Sequence, residues 1–146
     1  MKKELALELN RYLANIGVSY VKLHNLHWNV VGKDFKAVHE YLETLYDGFA
    51  GVLDSVAELL KMSDCTPAAS MKEYLELASI QELASKKIKT TEALAIVLSD
   101  MEILKSQAEN IRKAAALDDE YPIVSAMEGD LMEYSKTIWF LNAMSK

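Results

Sequence analysis

Apolar residues recur along most of this chain at alternating spacings of four and three. The first run is Leu5, Leu9, Leu13, Ile16, Tyr20 and Leu23, and the next position in step holds His27. A second run reads Val38, Leu42, Leu45, Phe49, Val52, Val56 and Leu59. A third follows Val97, Met101, Leu104, Ala108, Ile111 and Ala115, and a fourth Val124, Met127, Leu131, Tyr134, Ile138 and Leu141. Such spacing lines one face of an α-helix, and narrow seams of this kind pack helices side by side. The breaks between runs agree. "VGKD" offers Gly32 as a stop and Asp34 as an N-cap. "SDCTP" closes the second run, and Thr90 or Thr91 stands where the third helix needs a cap. "LDDEYP" places Pro122 in the first turn of the fourth helix, where its missing N–H is harmless.

Between the second and third runs lie about 25 residues, too many for a tight hairpin. They contain "SMKEYLELASIQE", which reads as a short extra helix. The sequence thus predicts an all-α chain: a ferritin-like four-helix bundle with a short helix in the long connection between helices two and three. Five glycines and two prolines are few for a sheet protein, which needs turns. A length of 146 residues suits one domain spanning 1–146. The single Cys65 forms no internal disulfide, and "MKKELALELNRY" mixes charges into its apolar positions, unlike a secretory leader. A cytoplasmic setting without membrane association is expected. A net charge of -6 weighs against nucleic acid as the main partner, and the N-terminal tail offers a polyanion only Lys2 and Lys3.

The chemistry gathers in "LHNLHWNVVG" and "VHEYLETLYDGFAGVLDSVAELL". His39 and Glu43 are four apart, as are Asp54 and Glu58, so each pair shares a helix face and can hold one metal ion. All four fall within an arc of roughly 100°, yet His39 and Glu58 are about 28 Å apart along the axis. One copy cannot close them around one ion. Two copies packed antiparallel about a two-fold axis between Gly48 and Phe49 bring His39 opposite Glu58 and Glu43 opposite Asp54. Near that axis Asp47 faces Ala50 and Tyr46 faces Gly51, and the small residues permit close approach. The result is two identical sites per dimer, each built from both chains. His27, on the neighbouring seam, is placed to add a ligand. A solvated acidic flank and a core histidine remain the alternative readings of these residues. A metal site inside one bundle is disfavoured, because helices three and four contain no histidine.

The segment "LHNLHWNVVGKDFKAVHEYLETLYDGFAGVLDSVAELL" closely resembles Dps-type mini-ferritins, the DNA-binding proteins from starved cells. "TPAASMKEYLELASIQE" and "KTIWFLNA" resemble that family's middle and C-terminal segments. The resemblance implies a homo-oligomer, a hollow dodecamer, that oxidises Fe(II), preferentially with hydrogen peroxide, and stores Fe(III). It implies iron ligands His27, His39 and Glu43 from one chain and Asp54 and Glu58 from its two-fold partner. It also matches Trp28 to a tryptophan beside the centre, either an electron donor or an interface packing residue. His24 matches a common family histidine that is not a ligand. Two positions depart from the pattern. Glu43 stands where most members have Asp. The acidic pores that the resemblance implies would draw here on Asp118, Asp119 and Glu120, with "YPIVSAM" interrupting the aspartates that usually follow; a charged helix start is the other reading. The rival functions are a nucleoid protein that coats and protects DNA, with iron handling secondary, and a helical oligomer without metal chemistry.

Overall fold

The computed structural model describes residues 1–146. In order, the elements are α1 (Lys3–Asn29), β1 (Val30–Val31), α2 (Phe35–Met62), α3 (Met71–Leu77), β2 (Ile88–Lys89), α4 (Thr90–Leu117) and α5 (Tyr121–Met144). The seams expected from the sequence are the ones that close the core. Every residue of the first run except the half-buried Tyr20 is buried, His27 included, and the whole third run is buried. Their buried apolar residues belong to one cluster of 29 contributed by all four long helices and the connection. α1 packs along α2, α4 packs along α5, and α1 against α4 joins the two hairpins. α2 and α5 touch only lightly and leave a cavity of about 120 Å³, bordered by Gly48, Phe49, Asp130 and Tyr134. No helix is long and apolar enough to cross a membrane.

Three details of the helix ends differ from expectation. α1 stops at Asn29, before Gly32, and the glycine serves the link instead. Its φ of +140° is one that side chains rarely adopt, and a Cβ there would lie 3.1 Å from Thr90 Oγ1. Asp34 occupies the N-cap position of α2 but its side chain makes no capping bond. Neither Thr90 nor Thr91 caps α4. Lys89 takes that place, because its strand residue is paired before the helix begins. β1 and β2 are parallel, with Val30 opposite Ile88 and Val31 opposite Lys89. This two-residue bridge is the one exception to the all-helical reading. It ties the α1–α2 link to the entry of α4.

The long connection is held by a buried polar residue. Asn15, fully buried on α1, accepts from the backbone N–H groups of Ser79 (2.8 Å) and Ile80 (2.9 Å) and donates to Gln107 Oε1 on α4 (2.9 Å). α3 itself is started by Ser70, whose Oγ accepts from the Glu73 N–H and donates to the Glu73 carboxylate at 2.8 Å. Tyr74 of α3 packs its ring against Gly17 of α1; a Cβ there would meet the ring at 2.7 Å.

Candidate metal centre

The end of α1 and the start of α2 face each other across the VGKD link, and that is where the two histidines meet. Each ring donates from Nδ1 to the other's main chain: His27 Nδ1 to the His39 carbonyl, and His39 Nδ1 to the His27 carbonyl, both at 2.7 Å. A carbonyl only accepts, so both rings carry their proton on Nδ1. Each Nε2 is thereby left with the lone pair that a metal ion needs. The rings stack at 3.7 Å between centroids and 11° between planes, and Phe35 covers His39 at 5.0 Å. Both imidazoles are therefore held by two kinds of contact, in orientation and in tautomer.

Glu43 approaches the pair from the His27 side. Its Oε1 lies 4.0 Å from His27 Nε2. Two ligands of one ion at about 2.1 Å each stand at most about 4.2 Å apart, so this gap accommodates an ion between them. The Tyr46 hydroxyl donates to the same Glu43 oxygen at 3.2 Å. Burial, with the Glu43 carboxylate second, raises the Tyr46 phenol above its ordinary pKa, so it stays a donor at neutral pH. The Tyr46 ring stacks on His24 at 3.7 Å and meets His27 edge-on at 5.3 Å. His24 is itself anchored by Nδ1 to the Tyr20 carbonyl at 2.7 Å. Trp28 sits beside this stack, 5.4 Å from His24, with 68% of its surface exposed.

The structure thus brings together His27, His39 and Glu43, with Trp28 at the margin. It does not bring Asp54 and Glu58 to them: both are exposed, about three and four turns beyond Glu43 on α2. Within one chain no group of three or more His, Cys, Asp or Glu is arranged to enclose a metal ion. Ala50 and Gly51, between the two halves, are exposed, and a Cβ at Gly51 would meet nothing within 4 Å. The acids considered for a pore share the α4–α5 turn, but two are ion-paired: Asp118 with Lys2 at 2.7 Å, Glu120 with the N-terminal amine at 3.3 Å. Asp119 takes a left-handed φ of 55° in a C-terminal helix cap and accepts from the Tyr121 hydroxyl. Sequence reasoning passed over Tyr46 as a member of this site. Its signal was there in the i,i+3 spacing from Glu43.

A family model described as a ferritin-like domain matches residues 6–146. DNA protection during starvation protein 2 of Bacillus anthracis is 34% identical over 144 residues, covering 98% of this chain and 97% of that protein. The crystal structure of a Dps protein from Bacillus brevis superposes with a TM-score of 0.94 at 33% identity, each chain covered completely. A Dps protein from Vibrio cholerae O1, described as a member of a broad superfamily of ferritin-like diiron-carboxylate proteins, gives 0.94 at 29% identity, covering 99% of this chain and 90% of that one.

Proposed function

This chain belongs to the ferritin-like family and is a Dps-type mini-ferritin, and from that premise we propose that it oxidises Fe(II) at centres shared between two subunits and stores the Fe(III) product. The iron is substrate and cargo. The observation that carries the reading is the reciprocal bonding of His27 and His39, which leaves both Nε2 atoms available while Glu43 stands one ion's width from that of His27. Imidazole and carboxylate suit this task. They bind Fe(II) more weakly than thiolates would, and the anionic oxygens favour Fe(III) over Fe(II), which makes the electron easier to remove. Asp54 and Glu58 of a second copy, packed antiparallel on α2, supply the remaining acids. Support for that crossing comes from the exposed Ala50 and Gly51 near the dyad and from the unpartnered positions of Asp54 and Glu58. A helix-interior glycine costs about 1 kcal/mol relative to alanine, and nothing within the chain compensates for it at Gly51.

Hydrogen peroxide is the oxidant we assign. Two Fe(II) ions give up one electron each, peroxide accepts both with two protons, and two waters leave. Fe(II) and peroxide are consumed together, which keeps them from generating hydroxyl radical and protects against oxidative stress. The product collects inside a closed homo-oligomer, a dodecamer in this reading, in the cytoplasm. Trp28 is exposed, lies 5.4 Å from His24 and carries an oxidisable indole, and we assign it as the donor that absorbs a stray oxidising equivalent. The measurement is direct. Protein loaded anaerobically with Fe(II) and then given peroxide develops ferric absorbance at least about tenfold faster than His27→Ala or Asp54→Ala protein. Equal rates would remove the catalytic assignment. DNA protection, the function named for relatives, has less to work with here, since Lys2 is paired to Asp118.

A further inference from the structure

We infer that Tyr46 is a positioning residue for the Glu43 carboxylate, an inference that rests on the metal-centre reading above. Glu43 is exposed, and its side chain has three rotatable bonds to order before it can serve as a ligand. Only one hydrogen bond restrains it, from the Tyr46 hydroxyl, one turn further along α2. That hydroxyl and His27 Nε2 address the same oxygen, Oε1, from 3.2 Å and 4.0 Å. The phenol is therefore the part of the chain that keeps the carboxylate facing the imidazole.

Tyr46 can do this because it is itself held. Its ring lies against the His24 imidazole at 3.7 Å and 23°, with Tyr20 edge-on at 6.2 Å. His24 is fixed in turn by its bond to the Tyr20 carbonyl. A chain of contacts thus runs from the α1 backbone through His24 and Tyr46 to Glu43. This gives His24, which carries no ligand role, a reason to be an aromatic nitrogen ring at that position. The hydroxyl has a second effect: by donating to Oε1 it engages one lone pair of that oxygen and leaves the other for an ion between Oε1 and His27 Nε2. A one-carbon-shorter carboxylate at position 43 would retract from the hydroxyl. The two side chains are consequently matched in length, and their effects should depend on each other.

The test uses the assembled protein and Co(II) alone, with no oxidant. Tyr46→Phe keeps the stacking ring and removes only the donor. It is expected to weaken Co(II) binding about tenfold at unchanged stoichiometry and to change the visible d–d spectrum, as loss of a bond to a ligating group does. In a Glu43→Asp background the same Tyr46→Phe change is expected to alter affinity less than about twofold, because the bond it removes is already lost. Wild-type affinity and spectrum in Tyr46→Phe, or an equal loss in both backgrounds, overturns the positioning role and leaves the metal centre standing. Failure of the wild-type assembly to bind Co(II), or binding unaffected by His27→Ala, overturns the centre and this inference with it. Thermal melting of Tyr46→Phe within a degree or two of wild type separates either result from a folding defect.

Discussion

Asp130 is half-buried on α5, where the Tyr12 hydroxyl donates to it at 2.8 Å and also contacts the Tyr134 hydroxyl. Burial raises the Asp130 carboxyl above the usual range, and the bond from Tyr12 offsets this only in part. Burial likewise holds both phenols protonated far above neutrality. A carboxyl whose folded pKa exceeds its unfolded one binds its proton more tightly in the fold. Its contribution is full below about pH 3.8 and is lost as pH rises through the folded value. At neutral pH the buried charge therefore works against folding. Asp130→Asn keeps an oxygen to accept from Tyr12 and carries no charge. It is expected to melt at a higher temperature than wild type at pH 7, with the gap closing as pH falls towards 3.5. A gap that widens on acidification would show that the carboxylate is net stabilising. Asp100 differs in having a cation, Lys22 at 2.7 Å, yet burial still raises its pKa, so it belongs to the same acid-favoured class.

Among the elements, α3 is the one whose placement depends on a missing side chain. Gly17 lies in the interior of α1, where alanine would be the better helix former by about 1 kcal/mol. A Cβ there would stand 2.7 Å from Tyr74 Cδ2 and 2.9 Å from Cε2. Crowding of that kind costs about 1–3 kcal/mol. Gly17→Ala is therefore expected to lower stability by about 1 kcal/mol net. Since the strain is local to the Tyr74 ring, α3 should detach first, seen as faster proteolysis within residues 70–78 before global unfolding. A more stable variant would mean that Tyr74 moves aside freely. The long helices end by a different device. α2 and α4 each close with an aspartate, Asp64 and Asp119, in the left-handed region usually taken by glycine. In both, the next N–H reaches back to the carbonyl five residues earlier, Cys65 to Leu60 and Glu120 to Ala115, which satisfies the last turn.

For the whole molecule, the decisive question is whether a reaction centre spans two chains. Co-assembly answers it. His27→Ala and Asp54→Ala are each expected to lose peroxide-dependent iron oxidation when assembled alone. In a mixed dimer one centre collects both defects and the other collects neither. Random pairing of equal amounts should therefore restore about a quarter of the wild-type rate. No recovery, in a mixture shown to contain both chains in the same particle, would place the two residues in one chain's site or in none. The exposed flank of α1 that carries Val21 and Trp28 is expected to be covered in the same dimer.

The helices were legible because their signal is local. A 4-3 apolar repeat needs only neighbouring residues, and it named the buried face of α4 from Val97 to Ala115, though not the buried Thr90, Ala93 and Leu94 of its first turns. The same periodicity put His27 on a seam and Glu43 one turn beyond His39, so three members of the cluster could be read before any fold was known. What lay outside its reach depends on residues distant in the chain. The β1–β2 bridge joins positions 58 apart, and with that pairing in place neither Thr90 nor Thr91 caps α4. The crossed bonds of His27 and His39 require the end of one helix to sit against the start of the next. The pairing of Lys2 with Asp118 spans nearly the whole chain. Sequence by itself determined which faces turn inward and which chemistry lies on them. The tertiary structure alone decided which nitrogen of each imidazole stays open and what holds Glu43, because hydrogen bonds have direction and direction is set only when the helices are packed.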